Sequence, residues 1–128
     1  MKIILAYLIL ALAITCARPV RAQNIEWQTQ HLVTPNFSLV KFYDIVSDQQ
    51  GNVFVFWSND APDPRNSIYY AVRFDGAWTK PTDVFIGSSW EVFEYPEVVC
   101  AANNRLHLSW SSTAQGVYYS RALAQDAL

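Results

Sequence analysis

The chain has 128 residues, with 9 basic side chains against 11 acidic ones, and 52% of its residues are hydrophobic and 15% aromatic. A net charge of −2 with no basic cluster argues against nucleic acid or an anionic membrane surface as a partner. Two cysteines are too few for a disulfide framework, so the fold has to be held by an apolar core.

Lys2, the nearly continuous apolar run Ile3 to Ala17 and the Val20-Arg21-Ala22 site read as a helical secretory signal peptide, residues 1–22, cleaved after Ala22. The run of about 15 residues falls short of the roughly 20 that a membrane-crossing helix needs, which leaves no membrane segment after cleavage. The expected location is secreted or periplasmic. Cleavage removes Lys2, Arg18 and Arg21 but no acidic residue, and it leaves Cys100 without a partner for an intrachain disulfide. Cys100 then reads as a buried, inert thiol.

The mature chain is patterned for strands. Ile25 to Val33 contains Trp27, which stands 51 positions before Trp78, and it is expected to be a lone outer strand. Next comes a repeat: Asp44 to Ser58 (DIVSDQQGNVFVFWS) and Glu97 to Ser111 (EVVCAANNRLHLSWS) align without a gap, 53 positions apart, about one propeller blade. Val53, Val55 and Trp57 alternate with Phe54 and Phe56, and the second copy answers with Leu106, Leu108 and Trp110 alternating with His107 and Ser109. Alternation of this period predicts strands, apolar on both faces in the first copy and more one-sided in the second. Gly51 and Asn104 share one repeat position, inside a polar turn that calls for positive φ. Each copy is followed by a tyrosine pair, Tyr69-Tyr70 or Tyr118-Tyr119, on a third strand. Asp75-Gly76 then predicts a tight hairpin into a fourth strand from Trp78 to Phe85, where Pro81 favours an edge position. The last copy stops before its fourth strand, because Ala122 to Leu128 contains no tryptophan strand.

The segments GNVFVFWS, NRLHLSWS, IYYAVRFDGAWTKPTDV and VYYSRA resemble the bacterial sialidase-like proteins built from BNR repeats. The resemblance implies an all-β fold, a partial β-propeller of four-stranded antiparallel blades: outer strand 25–33, full blade 39–85, partial blade 92–122. Further blades are expected from a longer parent chain or from another copy. In that family an Asp box, Ser-x-Asp-x-Gly-x-x-Trp, occupies the turn between third and fourth strands. Here Asp75, Gly76 and Trp78 keep its Asp, Gly and Trp at a shorter spacing, without the serine.

Sialidase chemistry needs three arginines around a carboxylate, a tyrosine nucleophile supported by a glutamate, and an acid. The family's Arg-Ile-Pro motif does not occur in this chain, and no catalytic residue is carried over. The tyrosine pairs read as packing residues. His31 and His107 lie far apart, so no metal site is expected; the loop from Asp60 to Asn66 offers oxygen ligands for calcium but lacks a glycine-hinged spacing, and no cofactor is expected. In a propeller the loops Asn59 to Ser67 and Gly87 to Glu94 share one face, bringing Asp60, Asp63, Arg65, Trp90, Glu91 and Glu94 towards one side. An exposed tryptophan beside carboxylates suits a glycan ligand. The expectation is an exported binding or scaffolding module; the alternative is a fragment of an exo-sialidase or related glycoside hydrolase whose catalytic residues lie in missing blades.

Overall fold

In the computed structural model of the chain, residues 29–34, 40–59, 67–84 and 91–128 are described. The expected signal peptide 1–22 and Trp27 lie outside them. His31–Leu128 forms one compact unit and Met1–Gln30 another. The described strands all belong to the former: β1 (Val40–Ser47), β2 (Val53–Asn59), β3 (Ile68–Phe74), β4 (Ala77–Trp78), β5 (Thr82–Asp83), β6 (Phe93–Cys100), β7 (Arg105–Ser112) and β8 (Gly116–Leu123). A 3-10 helix, Ala124–Ala127, closes the chain. The protein is all-β, built as two antiparallel meanders and not as a closed propeller: β1-β2-β3 with β4 and β5 both on β3, then β6-β7-β8.

The repeat is reproduced residue by residue. Trp57 pairs with Tyr69 across β2 and β3, and Trp110 pairs with Tyr118 across β7 and β8. Both pairs stack, with ring centroids 6.1 Å and 5.7 Å apart. Such cross-strand aromatic pairs stabilise an antiparallel sheet beyond their buried area. The first strand of each sheet carries a register shift near its start, between Val40 and Tyr43 and between Glu94 and Glu97, one residue apart in the repeat. The two β-hairpin turns also match. Asp48 donates its amide to Asn52 O (3.0 Å) and Gly51 donates to Asp48 O (3.2 Å), as Ala101 does to Arg105 O (2.8 Å) and Asn104 to Ala101 O (2.9 Å). Gly51 (φ 84°) and Asn104 (φ 58°) both take the left-handed conformation that the turn requires.

The sheets pack face to face through alternate side chains. Val46, Phe54, Phe56, Ile68 and Val72 of the first meet Phe93, Val98, Leu106, Leu108 and Trp110 of the second in one core. The first sheet therefore uses its phenylalanine face and the second its tryptophan face. Trp57 and Ala71, fully buried, sit on the other side of the first sheet, with Val53 and Val55. This asymmetry explains why Phe54 and Phe56 become His107 and Ser109 in the second copy. The equivalent face there has no described sheet against it, and apolar side chains gain nothing from facing water.

Two expectations are corrected. The predicted fourth strand from Trp78 to Phe85 is split into β4 and β5, since Pro81 has no amide to donate. Thr79 bridges the break: its amide donates to Val72 O (2.8 Å) and its hydroxyl accepts from Val72 N (3.0 Å). The expected outer strand 25–33 is not a strand over 29–33. Its counterpart at β4 and β5 is held in strand geometry by β3, and the earlier copy has no such ladder partner among the described residues. The Asp75-Gly76 turn is as expected, with φ of 49° and 80° leading into β4.

Candidate functional site

Of the residues expected to gather on one loop face, Asp60, Asp63, Arg65 and Trp90 lie outside the described residues. Glu91 and Glu94 are described, and neither stands in an open loop. Glu91 is only 5% exposed. Its Oε1 accepts hydrogen bonds from Ser112 Oγ and from Tyr118 Oη, the latter at 3.1 Å. A carboxylate taken out of water needs such donors, and they account for its placement under the end of β7 and β8. It is not offered to a ligand. Glu94 lies in β6, half-buried, and its backbone carbonyl accepts from Ser111 Oγ at 3.1 Å.

The contact between Glu91 and Tyr118 is one that the sequence reading missed, because tyrosine and glutamate stand 27 positions apart. Burial first, then the hydrogen bond to Glu91 and its negative charge, push the Tyr118 hydroxyl above its ordinary value. Phenolate is disfavoured there. Tyr118 also stacks on Trp110 and meets Phe93 edge-on at 5.9 Å, so its ring is held as a packing element.

The surface best suited to a ligand is a groove of about 550 Å³ along the adjoining open edges of β1 and β6. Lys41, Phe42, Asp44, Tyr95 and Glu97 line it. Two features of the strands shape it. The shared irregularity turns the strands where they enter the groove, and Tyr95 takes φ 53° at that point, which leaves its ring exposed and 3.9 Å from Phe42, centroid to centroid. A tyrosine in the left-handed region costs free energy, and such outliers concentrate at working surfaces. Asp44 fastens the two edges together: its Oδ2 accepts from Val98 N at 2.7 Å while Oδ1 accepts from its own neighbour, Ile45 N, at 2.8 Å. The turns add Gln49 N to Asn104 Oδ1 (3.0 Å), Gln49 Nε2 to Ala102 O, and Asn104 Nδ2 to Gln50 Oε1 (2.7 Å). Lines of hydrogen bonding thus join residues separated by about one repeat length.

A second, narrower cavity of about 240 Å³ opens between the sheets where the second has no fourth strand among the described residues. Phe56, Leu106 and Leu108 form its apolar wall, with Asp83, Arg121 and Asp126 around it. Its walls are the core itself. Among the described residues no group of His, Cys, Asp and Glu side chains is arranged to hold a metal ion, and no helix is long and apolar enough to cross a membrane. No protein-family model, curated protein or solved structure matches the chain.

Proposed function

We propose that this chain is an exported, sialidase-like repeat module, two consecutive units of a propeller-type array, whose role is to bind a glycan and not to catalyse its hydrolysis. The observation that carries the reading is that the two sheets follow one plan: the same left-handed turn and the same Trp-Tyr stack at equivalent positions, with an edge irregularity displaced by a single residue. Repeats of this kind bury their faces by stacking on neighbours, as these two do. The groove along β1 and β6 supplies what a sugar uses: an exposed aromatic ring at Tyr95, hydroxyl acceptors on Asp44 and Glu97, and a donor on Lys41. Residues 1–22 are the signal peptide that directs export and is removed by cleavage after Ala22.

Tyr95→Asn tests the binding role, because asparagine tolerates the left-handed conformation at this position while removing the ring. Screening the secreted protein against an immobilised glycan panel should give binding that Tyr95→Asn abolishes while its melting temperature is kept. Binding that survives the substitution unchanged would refute the groove as the glycan site. The repeated Trp-Tyr plan fits a second reading, a fragment of an exo-sialidase or related glycoside hydrolase whose catalytic residues lie in missing blades. Release of a fluorogenic aglycone from a sialoside by a longer parent protein, and not by this chain, would favour that reading over the first.

A further inference from the structure

The groove along β1 and β6 does not end at the edge of the second sheet. Glu97 and Val99 of β6 line it, and they also line a hollow of about 150 Å³ on the face of that sheet turned away from the core. His107 and Ser109 of β7 and Tyr119 of β8 complete the hollow. The register sets Glu97 beside Ser109 and Ser109 beside Tyr119, one row across three strands. The three side chains therefore share one face, and the Tyr119 position lies two strand spacings, about 10 Å, from that of Glu97.

The two copies of the repeat differ along this row. In the first sheet the matching cross-strand pair is Phe56 and Tyr70, whose rings stack with centroids 5.6 Å apart in and against the core. In the second the pair is Ser109 and Tyr119: serine cannot cover the tyrosine ring, and Tyr119 is 59% exposed. His107, at the position of the core residue Phe54, has its Nδ1 2.7 Å from Tyr119 Oη, which holds the outer end of the phenol in place. At the other end of the row Glu97 is exposed, and its carboxylate accepts no hydrogen bond among the described residues. Two residues before Glu97, the ring of Tyr95 stands 55% exposed in the groove. Polar groups alone would suffice for a face that meets only water; two uncovered rings with a free carboxylate and a hydroxyl between them are the parts of a sugar site.

We propose that the ligand is a linear oligosaccharide of several sugar units, lying from the Tyr95 groove across Glu97 to Tyr119, and not a single terminal sugar. The proposal rests on the reading of the groove as a glycan site and extends that reading to the class of glycan. Tyr95 and Tyr119 carry the apolar faces of two separate sugar rings, while Glu97 and Ser109 take the hydroxyls of the unit between them. One pyranose ring cannot reach both tyrosines across the width of the sheet. Chain length, more than the end group, therefore governs recognition.

Isothermal titration calorimetry of the secreted protein with malto-, cello- and chito-oligosaccharides of two and six units tests it. In the series that binds, the six-unit ligand should bind at least about tenfold more tightly than the two-unit ligand, the gain that comes from joining subsites. Tyr119→Thr removes the ring but keeps a residue suited to a strand, and it should abolish that gain. Its affinity for the two-unit ligand should stay within about twofold of wild type, because the groove is a separate subsite. Tyr95→Asn should weaken both lengths. Equal affinity for the two lengths overturns the proposal, and so does a Tyr119→Thr protein that keeps the full gain; in both cases two-unit binding lost in Tyr95→Asn leaves the groove reading standing. Binding in none of the series overturns both. If Tyr119→Thr lowers the melting temperature, nitration of the wild-type protein by tetranitromethane, mapped by mass spectrometry, reads the same contact: the six-unit ligand should protect Tyr95 and Tyr119, and the two-unit ligand Tyr95 alone. A Tyr119 nitrated equally with and without the six-unit ligand overturns the proposal.

Discussion

Leu108→Ala against Ser109→Ala is the sharpest test of how the two sheets meet. The two residues are neighbours on β7, but Leu108 is 4% exposed within the core whereas Ser109 faces the open side. Leu108 touches a core shared by both sheets, with Phe54, Phe56 and Trp110 in the same cluster. Truncating a leucine at this depth costs about 2–5 kcal/mol, the transfer of the lost carbons plus the cavity they leave. The cavity beside it, about 240 Å³ and lined in part by Leu108, gives the neighbours room to relax, which places the expected loss near the middle of that range, about 3 kcal/mol. For a domain of this size that is a fall in melting temperature of roughly 12–24 °C, from about 4–8 °C per kcal/mol. Ser109→Ala, which removes a partly exposed hydroxyl, should stay within about 0.5 kcal/mol. Urea unfolding followed by tryptophan fluorescence reports on both, since Trp57 and Trp110 are buried, and the slope with urea should not change. A Leu108→Ala cost below about 1 kcal/mol, or equal costs at the two positions, would refute the face assignment on which the core rests.

Asp44→Ala leaves the Val98 amide without its acceptor across the inter-sheet contact and should cost about 1–3 kcal/mol, while Glu97→Ala, with no described partner, should leave monomer stability within about 0.5 kcal/mol; chemical denaturation of both at low protein concentration checks this. Nothing lies within 4 Å of a Cβ built on Gly51, so Gly51→Ala should lose only the conformational term of its positive φ, about 1 kcal/mol, and Gly51→Asn less than half of that, as Asn104 already holds the same conformation in the second turn. Burial and then the negative charge of Asp48 push the Cys100 thiol above its ordinary value. Native-state alkylation should therefore reach its half-maximal rate at a higher pH than alkylation of the unfolded chain. Because the folded value is raised, the contribution of Cys100 to stability is complete below the unfolded thiol value and is lost as pH rises through the folded one; Cys100→Ser should flatten that alkaline loss.

Much of the fold was legible along the chain because it depends on short-range chemistry. The alternation from Val53 to Trp57 and from Leu106 to Trp110 dictates strands, and the Gly51, Asn104 and Asp75-Gly76 turns need left-handed backbone that few residues supply. The spacing also put a tyrosine pair on the strand after each tryptophan, while the register that sets Trp57 against Tyr69 and Trp110 against Tyr118 came from the structure. The candidate site was legible only in part. Glu91 reads as a loop acid until Ser112 of β7 and Tyr118 of β8 are brought over it, and Tyr95 gives no signal of its left-handed backbone. Both depend on partners distant in sequence.

By itself the sequence determined the strands, their turns and the repeat, since each follows from side-chain alternation and local φ preference within a few residues. Only the tertiary structure decided which of two apolar faces on β2 would be buried against the second sheet. Both faces of Val53 to Trp57 are hydrophobic, and local patterning cannot rank them. The ranking comes from fitting one sheet against another, where Asp44 meets the Val98 amide and the rings of Phe54 and Phe56 fill the space above Leu106 and Leu108.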